Sequence, residues 1–330
     1  MIVMRTLRSR IVSALASACV VAGCGGSPAK SPALPPVHLP HGEEILTRAG
    51  AEWFVKIEPE KLFGDPIRGA ELEKLFDDAA FTALEGRHGV DLRKAHALFI
   101  AKYSAAVLFE LEQAIDPALL DKAFSRRVSV ESTKSMREGD AAARITVKSG
   151  PGNGVQETLA IVGVEGALLE RGGDRYLRAA LRGVLGRPAM PALVSAPLSD
   201  LRLALDADRS PACIFAPGPF SAEQRGIGHL LLLSPAIGAC ATFVGEDIVL
   251  RSVLLGDFRA DEPRVRSLLE ARFSELEKSD LGRLMIEKHA PLEIGIDEKR
   301  ISLTLSAPRK AFLEGLHRAT GASLREIVTR

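Results

Sequence analysis

Seven histidines, four cysteines and several close carboxylate pairs are the side chains in this 330-residue chain that could do chemistry. Zinc hydrolysis needs two histidines one helical turn apart with a carboxylate between them, and HExxH is absent. His88, His96, His229, His289 and His317 follow no such spacing. His229 stands before Leu230–Leu233 and reads as a strand-end or core residue, while His289 lies close enough to Glu287 to pair with it. His38 and His41 sit in a proline-rich stretch. There they are expected to be solvated, because a metal site needs fixed geometry. Asp206 and Asp208 would share one strand face, an arrangement that suits acid–base work or calcium. Arg209-Ser210-Pro211 follows them, however, and reads as a turn. Asp77-Asp78 belongs to the polar side of a helix. The glycine-rich segment Ser149–Gly154 could cradle phosphate only between a strand and a helix. It joins two strand-like runs and lacks the P-loop lysine, so a mobile hairpin loop is expected. GxSxG and CxxC are both absent. The residues therefore predict no catalytic group, no cofactor and no metal.

The clearest signal lies at the N-terminus. Met1–Arg10 carries Arg5, Arg8 and Arg10 and no acid, and Ile11–Val21 is a short apolar run. A basic stretch, a short apolar run and small residues before a cleavage point form the secretory pattern. The run is too short for a bilayer, which takes about 20 residues. It ends on Val21-Ala22-Gly23-Cys24. This segment resembles the lipobox of bacterial lipoproteins. The resemblance implies cleavage before Cys24, a diacylglycerol on its sulfur and usually a further acyl chain on its amine. Gly25, Gly26 and Ser27 follow in place of an aspartate, which for Gram-negative lipoproteins implies the outer membrane. Several acyl chains anchor stably where one is marginal, so the body would need no membrane surface of its own.

Cleavage changes the charge. The chain has 43 basic and 42 acidic residues; loss of three arginines with residues 1–23 leaves 40 against 42, a net charge of −2. No lysine or arginine tract remains, which argues against nucleic acid as a partner. Of the four cysteines, Cys19 leaves with the leader and Cys24 is acylated. Cys213 and Cys240 remain, in a compartment that permits disulfides. They either pair, closing a loop of about 28 residues worth roughly 3–4 kcal/mol, or stay as buried thiols in apolar strands.

The elements that would position these groups alternate between helix and strand. Gly25–Gly42 carries Pro28, Pro32, Pro35, Pro36 and Pro40 and reads as a semi-extended tether. At about 3 Å per residue it would reach roughly 50 Å from the membrane, and the folded part is expected near Glu44. Strand signals follow at Trp53–Ile57, His96–Tyr103, Ala105–Leu111 and Val128–Thr133, with a helical stripe from Leu72 to Leu84. A second helix is capped by Asp116-Pro117. This β-α-β-β-α-β order suits a ferredoxin-like sandwich: antiparallel sheet covered by helices, class α+β. Further strands are expected at Ala143–Lys148, Thr158–Val164, Gly166–Leu169, Leu201–Leu205, Cys213–Ala216, His229–Leu233, Cys240–Val244 and Ile248–Leu255. Asp174–Leu185 reads as a helix, and Asp261-Glu262-Pro263 opens another. Leu292–Ile296 and Arg300–Leu305 read as a hairpin, and Pro308 as the start of a helix. Residues 52–125 and 248–318 share an element order without a residue-level repeat, which means either a duplicated α+β unit or only that this order is common. The expected organisation is a leader (1–23), an acylated tether (24–43) and two α+β units (44–187 and 188–330) that either pack as one domain or stay separate. The body's element order is also similar to that of uncharacterised bacterial envelope-protein families.

These readings point to a lipid-anchored envelope protein whose body is a binding or assembly module for a protein partner. A carrier of lipid or another apolar ligand, and an enzyme with an unrecognised site, are the competing expectations. A large apolar cavity would favour the first, and a cleft of strongly shifted titratable groups the second.

Overall fold

Strict alternation builds the centre of the protein. Ala97–Tyr103 reads ALFIAKY and buries every second residue, so that Ala97, Phe99, Ala101 and Tyr103 are wholly inaccessible to solvent. The computed structural model describes residues 33–46, 50–75, 78–187, 195–220, 228–279, 282, 286 and 289–315. Cys24, the whole leader, His317 and the capping-box sequence near Ser323 lie outside these residues.

The described strands are β1 (Ala51–Ile57), β2 (Ala97–Tyr103), β3 (Val107–Glu112), β4 (Ser132–Arg137), β5 (Ile145–Gly152), β6 (Val155–Val162), β7 (Gly166–Arg171), β8 (Ala212–Pro217), β9 (Ala236–Val244), β10 (Asp247–Leu255), β11 (Glu293–Ile296) and β12 (Arg300–Pro308). They form one twelve-stranded sheet in the order β11-β12-β10-β9-β8-β1-β2-β3-β7-β6-β5-β4. Every neighbouring pair is antiparallel. The class is α+β. The chain order β-α-β-β-α-β is present, but the pairing is not that of a ferredoxin-like sandwich. There, a helix crossover separates parallel strands; here β1, β2 and β3 are consecutive antiparallel neighbours. The sheet also runs unbroken from the first half of the chain into the second, through the β1–β8 ladder.

Helices α1 (Gly42–Ile45), α2 (Pro59–Phe63), α3 (Pro66–Leu75), α4 (Asp78–His88), α5 (Pro117–Arg127), α6 (Arg175–Val184), α7 (Ala196–Leu205), α8 (Gly228–Leu232) and α9 (Glu262–Lys278) cover the sheet, with a further helical stretch at 309–315. On one face, α1, α6 and α7 bury Phe54, Phe99, Tyr103, Leu108, Leu168 and Phe215. On the opposite face, α5 packs Leu120 and Phe124 against Leu111, Leu159, Ile161 and Ala167. Further along that face, α8 and α9 cover Leu254 and Ile301, and α2, α3 and the 309–315 helix cover Ile248 and Leu305.

Both halves share a wiring: strand, helix, hairpin, helix, then a meander whose last strand returns beside the hairpin. In the first half β7 returns to β3, and in the second β12 returns to β10. The correspondence therefore runs 51–127 against 212–278, rather than 52–125 against 248–318.

Other expectations are also corrected. Leu201–Leu205 is helical, because Leu198, Leu201 and Leu205 at helical spacing are the buried residues of α7. His229–Leu232 lies in α8, where Leu230 and Leu231 are buried and Leu232 faces solvent; a run of leucines carries no period to tell strand from helix. The stripe from Leu72 to Leu84 spans two helices, α3 and α4. The strand expected at Val128–Thr133 begins only at Ser132, since Val128 closes α5 and is buried there. Ser149–Gly152 is strand, and only Asn153 (φ +50°) and Gly154 (φ +77°) form the turn. Two successive left-handed residues make the tight hairpin that matches strand twist. The tether is shorter than expected. Val37 and Leu39 are buried, and the Val37 N–H donates to Ala142 O at 2.9 Å, so packing begins ahead of Glu44.

Helix α6 has no side-chain cap from Asp174. Instead the buried Glu170 of β7 accepts the Leu177 N–H at 2.7 Å, and Tyr176 stacks on Tyr103 at 3.6 Å between centroids. Burial raises the Glu170 pKa, and the N–H groups of Leu177 and Tyr176 offset this only in part. Glu170→Ala is expected to destabilise the protein by about 1–3 kcal/mol, read as a lower urea midpoint. A raised folded-state pKa gives stability that is complete below the unfolded value and declines as pH rises through the folded one. The variant should lack that part of the pH dependence.

Candidate binding site

The register of the sheet lines up half-buried apolar side chains across its middle. On the face that carries α5 and α9, Phe109 of β3 stands opposite Ile100 of β2, Ile100 opposite Val55 of β1, Val55 opposite Ile214 of β8, and Ile214 opposite Ala239 of β9. Ile214 is 43% exposed and the other four are partly exposed. Trp53, the chain's lone tryptophan, lies two residues from Val55 on the same face and is also partly exposed. Among the described residues, these six belong to none of the four buried clusters. They form an open apolar strip. The α5 cluster lies on one side of it, and the clusters built by α8, α9 and the 309–315 helix lie on the other. At about 4.8 Å per strand the floor from β3 to β9 is roughly 19 Å long.

A second concavity lies on the opposite face, between α7 and the turn joining β11 to β12. This open cleft of about 860 Å³ has Asp200, Asp257, Asp297, Glu298, Lys299 and Arg300 in its lining. Leu203 stands at its rim, 79% exposed. Four of these charges are paired, two of them with Arg259 beside the cleft. Arg259 bonds Asp257 at 2.9 Å and Glu298 at 3.2 Å, and Arg300 bonds Asp297 at 3.2 Å. The Arg259 guanidinium holds Asp257 down to about 2, and backbone N–H of Lys299 holds Asp297 low. Such carboxylates are fixed ionised acceptors, unsuited to proton transfer near neutrality.

The residues singled out from the sequence do not converge. His38 pairs with Glu165 at 3.0 Å and His41 with Glu112 at 2.8 Å, so neither is a free tether residue. His96 approaches Glu60 at 3.4 Å. Burial, with Arg127 and Arg87 nearby, holds His88 down to about 4. His289 bonds Glu277 at 2.6 Å and meets the Phe273 ring edge-on; the partner expected from sequence, Glu287, lies outside the described residues. Asp206 adopts φ +50° at the C-terminus of α7, and Asp208 pairs with Arg202, so the two carboxylates are divided between different partners. Asp77 and the side chains of Asp78 and His229 lie outside the described residues. Cys213 and Cys240 are directly opposite one another on β8 and β9 and are joined as a disulfide. Among the described residues, no three His, Cys, Asp or Glu side chains are grouped to hold a metal, and no helix is long and apolar enough to cross a membrane.

Buried carboxylates were the groups that sequence patterns missed. Glu110, Glu157 and Glu170 are each at most 1% exposed. Glu157 is held between Arg127 and Arg171. Among the described residues, Glu110 has no hydrogen-bond partner at either oxygen.

No family model matches this chain, and no curated protein matches it. Among solved structures it is similar to crystal form III of TP0453, at 13% identity and a TM-score of 0.46, over 86% of this chain and 99% of the other. Crystal form I of TP0453 matches at 13% identity and 0.44, over 87% and 98%. A likeness at this level carries no functional assignment.

Proposed function

We propose that the chain is a lipid-anchored protein of the cell envelope, held through acyl chains on Cys24, outer membrane facing the periplasm, with a non-catalytic binding body. The anchor rests on the sequence Val21-Ala22-Gly23-Cys24, and the observation that supports the binding body is the open strip Phe109–Ile100–Val55–Ile214–Ala239 with Trp53 beside it. The occupant that suits it is an amphipathic helix of a partner protein. The same sheet face already takes helices on both sides of the strip, α5 at one side and α9 at the other. A floor of roughly 19 Å matches about 13 helical residues. A half-exposed tryptophan beside an exposed isoleucine is the composition of an anchor pocket. The described cleft on the opposite face is ringed with charge, which disfavours it as an acyl-chain cavity.

The test places a photo-crosslinking amino acid at position 214 of the full chain in intact envelopes. The expected product is a discrete protein adduct whose linked peptide is amphipathic. Ile214→Asp should weaken that partner at least tenfold, since central anchors contribute about 2 kcal/mol or more, with the thermal midpoint unchanged. An adduct of lipid mass would replace this reading with that of a carrier. Unchanged affinity in Ile214→Asp would remove the strip from the site.

A further inference from the structure

Residues 34–46 run as a strap across the α6/α7 face, and two of its side-chain fastenings share one chemistry. His38 Nδ1 meets Glu165 at 3.0 Å, and the Leu39 N–H donates to the same carboxylate at 2.7 Å. His41 Nδ1 meets Glu112 at 2.8 Å, and the Gly42 N–H donates to that carboxylate at 3.0 Å. These two histidine ties are ion pairs only while the histidine is protonated; a third tie, Glu43 of the strap to Arg202 of α7, does not depend on a histidine. Ile45 and Leu46 are buried in the core below.

Directly under α1 lies Glu110. It is wholly buried, and among the described residues neither carboxylate oxygen has a hydrogen-bond partner. The Gly42 backbone seals it: a methyl group at that position would sit 2.9 Å from Glu110 Oε2 and 2.3 Å from Phe99 Cδ2. The charged groups around it are unfavourable to an anion. Glu112 on its own strand and Glu44 on α1 both repel it. Glu43 on α1 is taken by Arg202 of α7. His41, ahead of α1, is engaged with Glu112. From β2 and β7, Phe99 and Leu168 stand directly opposite, both apolar. Lys56 of β1 lies beyond Phe99 in the same row and contacts Glu58 and the Ala207 carbonyl. Helix α6 packs Tyr176, Leu177, Ala180, Leu181 and Val184 against this core, and Glu170, two residues beyond Leu168 on the same face of β7, is buried and accepts the Leu177 N–H.

We propose that residues 34–46 are a proton-operated clasp: proton binding seats the strap over Glu110, and proton loss lifts it. Burial, then Glu112 and Glu44, hold the Glu110 carboxyl well above its usual range. The hydrogen bond to Glu112 raises His41 against the opposing effect of burial. Both groups bind protons more tightly in the seated state than in the lifted one. Rising pH therefore favours lifting through both, and mild acid favours seating. Lifting frees 13 residues, about 40 Å of extended chain at roughly 3 Å each, between the body and the anchor. That last consequence rests on acylation of Cys24, whereas the clasp itself does not.

The test is amide hydrogen exchange of the full chain in detergent from pH 5.5 to 8.5, corrected for intrinsic rates. Peptides covering 37–46 should lose protection by up to about tenfold per pH unit for each proton released on opening. Peptides from β5 and β6 should hold theirs. Glu110→Gln should remove the larger part of that slope, and His41→Gln the remainder. In the wild-type protein, one component of the infrared band of protonated buried carboxyls, to which Glu170 also contributes, should disappear with the same midpoint as the protection, a readout that needs no variant to fold. Protection at 37–46 that follows β5 and β6, a slope unchanged in Glu110→Gln, or a carboxyl band with no component at that midpoint would each overturn the clasp. Exchange reads the strap whether or not Cys24 is acylated, so failure of the anchor is distinguishable from failure of the clasp.

Discussion

Cys24→Ser should move the protein from the membrane fraction to the soluble fraction, or leave it as an unprocessed precursor of higher mass. The expectation is close to all-or-none. A buried acyl chain contributes about 0.8 kcal/mol per methylene, and one chain alone binds marginally, whereas two or more anchor stably. Serine cannot form the thioether, so every chain attached through the sulfur is lost in one substitution. The check is fractionation of envelopes together with the mass of the N-terminal peptide, which should begin at Cys24 and carry acyl chains in the parent. Gly25→Asp addresses the second half of the reading. An aspartate after the cysteine should shift the lipoprotein toward the inner membrane while leaving it acylated. Full membrane attachment of Cys24→Ser would show that the body holds the membrane by another route, and the open strip would then be the first place to look for it.

How much of this was legible depended on how far apart the interacting residues are. The β2–β3 hairpin was readable because its alternation and its turn lie within a few residues. The start of α5 was readable because Asp116 caps its own neighbours, accepting from Ala118 N at 2.8 Å. Helices α7 and α8 were misread as strands, since leucine runs report burial but not period. The pairing of β1 with β8 joins residues more than 150 positions apart, as Val55 opposite Ile214 shows. The open strip depends on that pairing, so it could not be read locally: Val55 and Ile214 are each unremarkable in their own strand. Glu110 did leave a local trace. In Val107–Glu112, VLFELE, it points to the same face as the buried Leu108, where an acid is out of pattern. His38 and His41 left none, because their carboxylate partners sit on distant strands and turns.

Replacing Cys213 and Cys240 together by alanine should lower the stability of the folded body by about 3–4 kcal/mol, the chain-entropy value for a loop of this length. It should appear as a lower denaturant midpoint with a steeper slope, because the unfolded chain without the crosslink exposes more surface. The two residues are 27 apart and are direct partners in the β8–β9 ladder. Both are nearly inaccessible, at 4% and 3%, so the alanines leave no polar group unsatisfied, while the loss of two buried sulfurs adds a cavity cost to that of the crosslink. The location decides which part of the fold should loosen first. Strand β8 pairs with β1 on one side and β9 on the other, and within the sheet the β1–β8 ladder is the backbone seam between the two halves of the chain. Untethering β8 from β9 leaves that seam held by hydrogen bonds and by Phe54 against Phe215. Exchange protection should therefore fall at β8 and β9 before it falls at β5 and β6. Protein made in a reducing compartment should show the same lower midpoint, and reoxidation should restore it. An unchanged midpoint would mean that the crosslink adds nothing to the packing of Leu205 of α7 on Phe215 and Gly238, and that the unfolded chain keeps this loop compact without it. If the loss is found, the apolar strip inherits it. Ile214 lies next to Cys213 on the seam strand, so the site proposed for the partner should be intact only in the oxidised protein.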